Sequence, residues 1–284
     1  MPPTAAPIAP DLNQAIQYAR LVKAAEDVSP DQTVYNPGDA IQIAYDAINV
    51  TYTVVTTIYG NDLATDISVR EGRPIGIVSF GVVVQDPAGN AVVAIRGTDG
   101  IFEWLQDVNF LWVGCPILPG SGNSEDGFTA VYESLRVAAD ANSARVVDAL
   151  PGMAFPRPVT SMTICGHSLG GALATLLALD VAANTKLPTP TVYTYASPRV
   201  GDSSFADTYN QLLSNTYRFV NRMDIVPKLP TQPPYAHVLG LYELNPMLKV
   251  KWDVLCEHHL TTYLYLLSLL TGGTVLPLDA GCGP

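Results

Sequence analysis

The chain has 284 residues, 48% of them hydrophobic and 14% charged, with a formal net charge of −11. That length and apolar content provide a sizeable buried core and exclude an intrinsically disordered chain. The acidic balance excludes nucleic-acid binding, which needs a basic surface to follow phosphates, and docking on anionic membranes; it suits an uncharged or apolar substrate.

The opening MPPTAAPIAPDLNQ has neither a basic stretch nor an apolar run of about 7–15 residues. No secretory signal is therefore expected in this chain, and a cytoplasmic location is expected unless a signal has been removed. NQAIQYARLVKAAEDV has helical apolar spacing, TYTVVTTIYG reads as a strand, and IVSFGVVVQDPAGNAVVAIRGT reads as two strands around a Pro-Ala-Gly-Asn turn. GIFEWLQDVNFLW sets Ile101, Trp104, Leu105, Val108, Leu111 and Trp112 at helical spacing, with Phe102 and Phe110 beside them. GFTAVYESLRVAADANSARVVDAL predicts one long amphipathic helix, followed by the strand VTSMTIC and a helix beginning at Gly170. TVYTYASP and TYRFVNRMD predict two further strands. HHLTTYLYLLSLLTGG is too short and too rich in Thr, Ser and Gly to span a bilayer, which takes about 20 apolar residues, and reads as a core helix.

Strands alternating with helices, the strands being almost continuously apolar, predict an α/β fold with a mostly parallel central sheet covered on both faces. No repeat, linker or low-complexity block divides the chain, so residues 1–284 read as a single domain. The four cysteines have no metal-ligand spacing; Cys165 closes a strand as a core thiol. Cys115, Cys256 and Cys282 leave room for one bridge, but free thiols are the expectation.

Chemistry concentrates at SMTICGHSLGGALATLLALD. Where a strand turns directly into a helix, the tip residue is forced into a strained conformation and the positions two before and two after it approach closely. Gly166 and Gly170 relieve that clash around Ser168, and Gly171 allows close helix-to-strand packing. The turn lifts the serine hydroxyl above the sheet's carboxyl edge, with a helix N-terminus behind it. A nucleophilic serine also needs a base and an orienting acid, which follow in the order Ser, Asp or Glu, His in sheets of this type. After Ser168 the histidines are His237, His258 and His259. Asp224, closing the strand segment in RFVNRMDIVPKLP, is the candidate acid; Asp202 is better explained as a helix N-cap.

The segments VVAIRGTDGIFEWLQDVNF, DGFTAVY, ICGHSLGGALA, TYASPRVGD and RFVNRMDIVPKLP, in this order, resemble the class 3 lipase family of fungal and plant triacylglycerol lipases. The resemblance covers roughly residues 50–265. It implies an α/β-hydrolase fold with a lid segment after the oxyanion strand, Ser168 as nucleophile, Asp224 as acid and a C-terminal histidine as base. HHLTTYL resembles the plant-like His-x-Leu-x-x-Tyr-Leu form, which selects His258; the fungal form, with a shorter gap to its aromatic, would favour His259. YAHVLGLYEL resembles a strand segment in which the histidine, here His237, is structural.

The same resemblance places the oxyanion hole at the backbone N–H groups of Thr98 and Leu169, and makes Arg96 a structural ion-pair partner. It also puts Phe102 or Trp104 against substrate at the lid or acyl-pocket rim. One departure is Glu125, where the family usually has histidine two residues before the Gly-Phe pair. The expected activity is hydrolysis of carboxylic esters, with acylglycerols as the first substrate class and a short-chain or feruloyl-type esterase or an acyltransferase as alternatives. No metal or organic cofactor is implied, and the expected partner is an ester or lipid substrate at a lipid–water interface.

Overall fold

The computed structural model of the chain describes residues 9–27, 34–61, 76–98 and 111–284. Its main sheet is built from β1 (Ala40–Tyr45), β2 (Ile48–Asn61), β3 (Ile77–Gln85), β4 (Asn90–Ile95), β7 (Ser161–His167), β8 (Thr191–Tyr195), β10 (Thr216–Asn221) and β12 (Leu241–Leu244), in spatial order β1-β2-β3-β4-β7-β8-β10-β12. The pairings from β1 to β4 are antiparallel. From β4 through β7, β8 and β10 to β12 every pairing is parallel. That half requires crossovers, and α-helices supply those leading to β7, β8 and β10.

The central strands are apolar at nearly every position because each face has its own core. Val93, Ile95, Met162 and Ile164 point into one cluster, while Val92, Ala94 and Cys165 point into the other. The first cluster is closed by α2 (Asp126–Ser134), α4 (Leu169–Asn184) and α5 (Ser203–Leu212). The second is closed by α1 (Leu12–Glu26) and α7 (Leu260–Thr271). Helix α4 is buried without interruption from Leu169 to Val181, which explains why its sequence is apolar all round rather than amphipathic. None of the described helices is long and apolar enough to cross a membrane.

Three expectations are corrected. Residues 127–150 do not form one helix: α2 ends at Ser134 and only Val146–Ala149 (α3) resumes. Between them Arg136 leaves the helix to exchange backbone hydrogen bonds with Tyr59 at the edge of β2, 2.7 and 2.9 Å, and Asp140 nucleates a turn by accepting from the Asn142 N–H. Sheet-edge pairing and an Asx turn override helical periodicity here. Trp112 does not extend a helix either; it opens β5 (Trp112–Gly114), half of a small hairpin with β6 (Asn123–Glu125). With β9 (Gly201–Asp202) and β11 (Tyr235–Ala236) this hairpin forms a second sheet, ordered β11-β9-β6-β5.

The third correction concerns sulfur. Cys256 is bonded to Cys282, 26 residues away, whereas Cys115 and Cys165 are free and buried. Neither the spacing nor the number of cysteines favoured that bridge; it exists because the C-terminal tail folds back on α6 (Val254–His258), where the Lys251 N–H donates to the Cys282 carbonyl, 2.9 Å. Closing a loop of this length restricts the unfolded chain. Replacing both cysteines with serine is expected to lower stability by about 3 kcal/mol, read from urea unfolding midpoints.

Candidate functional site

Strand β7 ends at His167 and α4 begins at Leu169, so Ser168 alone makes the turn, at φ 56° and ψ −125°. A side chain is strained in that conformation, and it persists only because the surroundings force it. A Cβ on Gly166 would lie 2.1 Å from the Gly170 carbonyl oxygen, and one on Gly170 would lie 2.3 Å from that of Ile95. The two glycines therefore let α4, β7 and β4 meet backbone to backbone. The Ser168 N–H donates to the Tyr195 carbonyl, 2.9 Å, which pins the turn to β8.

The predicted Ser168, Asp224 and His258 are brought together, although the latter two lie 56 and 90 residues along the chain. His258 Nε2 is 2.8 Å from Ser168 Oγ, and His258 Nδ1 is 2.9 Å from Asp224 Oδ2. With Nδ1–H donating to the carboxylate, Nε2 is the acceptor for the serine hydroxyl. All three side chains are buried. Asp224 lies just past β10, and its other oxygen accepts from the Val226 N–H, 2.9 Å, holding the loop in a turn. Burial lowers the His258 pKa from the ordinary histidine range; Asp224 acts in the opposite sense, and the charges of His167 and His259 add to the lowering. The ring is thus a neutral base near pH 7.

His259 turns away, its Nδ1 2.8 Å from Asp279 Oδ2, so adjacency in sequence does not make the two histidines equivalent. His237 donates from Nε2 to the Pro227 carbonyl, 2.7 Å, bracing the loop beyond Asp224; burial, and then Arg218, push its pKa down to about 3. Asp202 caps α5 by accepting from the Phe205 N–H, 2.9 Å. Arg96, expected as an ion-pair partner, has its buried guanidinium on the carbonyls of Ser79 and Gly97, at 2.6 and 2.8 Å.

Leu169 is the first residue of α4, where the N–H groups lie beyond the intrahelical ladder. Thr98 is buried past the end of β4, and a Cβ on neighbouring Gly97 would stand 3.2 Å from that of Ser168, so this strand end runs against the serine. Phe102 and Trp104 lie outside the described residues. Sequence reasoning missed Tyr263, whose hydroxyl donates to Asp224 Oδ2, 2.7 Å. Its spacing from His258 in HHLTTYL was a usable signal: a tyrosine one turn into the following helix faces back toward the carboxylate.

A family model described as Lipase (class 3) matches residues 92–233, half of the chain and the part containing Thr98, Ser168 and Asp224. The chain belongs to the class 3 lipase family. It is 32% identical over 164 residues to secreted mono- and diacylglycerol lipase A of Penicillium cyclopium, covering 57% of this chain and 50% of that protein. It is also 32% identical over 216 residues to phospholipase A1-II 3 of Oryza sativa subsp. japonica, covering 67% and 51%. The chain spans about half the length of these curated relatives. A lipase from Rhizopus microsporus var. chinensis superposes with a TM-score of 0.57 at 21% identity, over 86% of this chain and 79% of that one. The fold is accordingly the α/β-hydrolase fold, with the parallel half of the sheet carrying the class 3 lipase motifs.

The departure from the family at Glu125 has a local explanation. Its carboxylate caps α2, accepting from the Phe128 N–H at 2.7 Å, yet the residue is almost fully buried and its pKa is pushed up to about 7, by burial first. A folded-state pKa above the ordinary value of 4.5 means that the folded form holds this proton more tightly than the unfolded one. The contribution to stability is therefore complete below pH 4.5 and is lost as pH rises toward 7, by about 3 kcal/mol. Glu125→Gln, which keeps an acceptor at the cap, is expected to flatten the fall in unfolding free energy between pH 5 and 8, measured by denaturant titration at each pH.

Proposed function

We propose that the chain is a serine hydrolase of carboxylic esters that cleaves acyl groups from a glycerol backbone through an acyl-enzyme. The observation that carries this reading is the buried path from Ser168 Oγ to His258 Nε2, 2.8 Å, and from Nδ1 to Asp224 Oδ2, 2.9 Å. In this reading Ser168 Oγ attacks the acyl carbon and passes its proton to His258 Nε2. Asp224 holds the imidazole tautomer and balances the imidazolium that forms. His258 then returns the proton to the leaving alcohol, and water, activated the same way, releases the acid. The N–H groups of Leu169 and Thr98 receive the oxyanion, each such donor contributing on the order of 3 kcal/mol.

The relatives include a mono- and diacylglycerol lipase and a phospholipase A1, which favours a lipid acyl ester as substrate. The surface supports the same class. The segment between β12 and α6, which leads directly to His258, exposes Leu248 (92%) and Trp252 (85%) with Met247, interspersed with Lys249 and Lys251. An indole and aliphatic tips flanked by lysines suit the boundary of a lipid surface, where the apolar groups enter the acyl layer and the ammonium groups stay at the headgroups.

On p-nitrophenyl esters from acetyl to palmitoyl, turnover is expected to rise with chain length and to fall on the order of 10⁴-fold or more in Ser168→Ala. Turnover that survives the substitution would remove the assignment. The double substitution Leu248→Ser with Trp252→Ser is expected to reduce hydrolysis of emulsified triacylglycerol about tenfold or more, from the lost apolar transfer, and to affect a dissolved short-chain ester much less.

A further inference from the structure

His167 immediately precedes the nucleophile, but its ring turns away from Ser168 into the space between α1 and the break separating α6 from α7. There its Nδ1 is 3.0 Å from Glu26 Oε1 and its Nε2 is 2.9 Å from the His258 carbonyl oxygen. Both partners accept hydrogen bonds and donate none when Glu26 is ionised. A neutral imidazole has a single N–H and would turn a lone pair toward one of the two oxygens; an imidazolium satisfies both. The rings of His167 and His258 stand 4.9 Å apart.

We propose that Glu26 and His167 form a positioning pair for His258, with Glu26 holding His167 as an imidazolium that grips the His258 main chain and disfavours a second positive charge on the His258 ring. The inference rests on the reading of His258 as the catalytic base. The nearer pole of the pair faces His258, since Nε2 points to it and Nδ1 points to Glu26. Burial opposes charge on His167, but the hydrogen bond and attraction of Glu26, with smaller contributions from the His258 carbonyl and Asp224, outweigh it and raise its pKa, while the charge of His167 is among the causes that lower that of His258.

Other groups around the two rings set the balance. Asp224 favours protonation of His258, and His259 opposes it. On the His167 side, Asp224 also favours the charge, the Tyr263 ring stands at 67° with its centroid 6.2 Å away, and Lys23 and Arg96 share with Glu26 and His167 the lining of a cavity of about 300 Å³. This cavity also reaches Thr98 and His258, so the pair borders the site on the oxyanion side and Glu26 remains partly exposed. Glu26 stands in the N-terminal helix, outside residues 92–233.

The test is nitrogen-15 NMR of the histidine side chains in the full chain, with kcat/KM against pH for wild type, Glu26→Gln, His167→Gln and His167→Leu. In wild type both His167 nitrogens are expected to be protonated at pH 7. In Glu26→Gln the amide can donate to Nδ1 while Nε2–H still reaches the His258 carbonyl, so the contacts persist without the charge. His167 should then become neutral, and both the His258 titration and the acid limb of the profile should move up by about one pH unit. His167→Gln keeps a donor near the Nε2 position and should move the acid limb in the same direction, whereas His167→Leu should also lower kcat on the plateau. A neutral His167 in the wild type, including one whose proton resides on Glu26, would overturn the proposal, as would a His258 titration unmoved by Glu26→Gln. If ester hydrolysis survives Ser168→Ala, the functional reading fails separately, and the NMR titrations still decide the charge relation between the two histidines.

Discussion

Everything at this site depends on a backbone contact that only glycine permits. The approach of Gly166 to Gly170, and of Gly170 to the end of β4, brings three pieces of main chain closer together than side chains allow. Because of it, Ser168 is held in a left-handed conformation on a strand buried in both cores, and the cost of that conformation is met by a helix buried along thirteen successive positions, from Leu169 to Val181. A strained tip anchored this firmly gives the hydroxyl a fixed position. Groups from distant parts of the chain can therefore be set against it at hydrogen-bonding distance.

The electrostatics are arranged around a buried carboxylate and two neighbouring imidazoles. Asp224 has partners for both oxygens: His258 and Tyr263 on one, the Val226 N–H on the other. Leaving a buried carboxylate without such partners would cost free energy, so each contact helps hold this side chain in place. His167 and His258 are adjacent in space but differ in surroundings. Each is paired with a carboxylate that favours its protonated form, Glu26 for His167 and Asp224 for His258; for His167 the favourable contacts outweigh burial, whereas for His258 burial, aided by the charge of His167, prevails.

Much of this was legible in the sequence, because the glycine-flanked turn at Ser168 and the strand alternation are local patterns. The continuous apolar strands and the helix from Gly170 read as they fold. The failures share a physical cause. Arg136 abandons a good helical pattern to pair with Tyr59 seventy-seven positions earlier, and Cys256 finds Cys282 because a tail folds back; neither partner is encoded locally. The same holds for Tyr263, for Glu26 against His167, and for the second sheet, whose strands run only two or three residues. Sequence periodicity reports how a segment meets a generic core, whereas these contacts depend on which segments the fold places side by side.

The fold-back of the C-terminal tail has a consequence for synthesis. The strand leading to Ser168 is complete once residue 168 has been made, whereas the helix bearing His258 is tied down by Cys282, bonded to Cys256, and by Asp279 against His259. During translation, therefore, Ser168 and its strained turn can form well before His258 is fixed beside them. The position of His258 is thus set by contacts with residues 279 and 282, well beyond it in the chain.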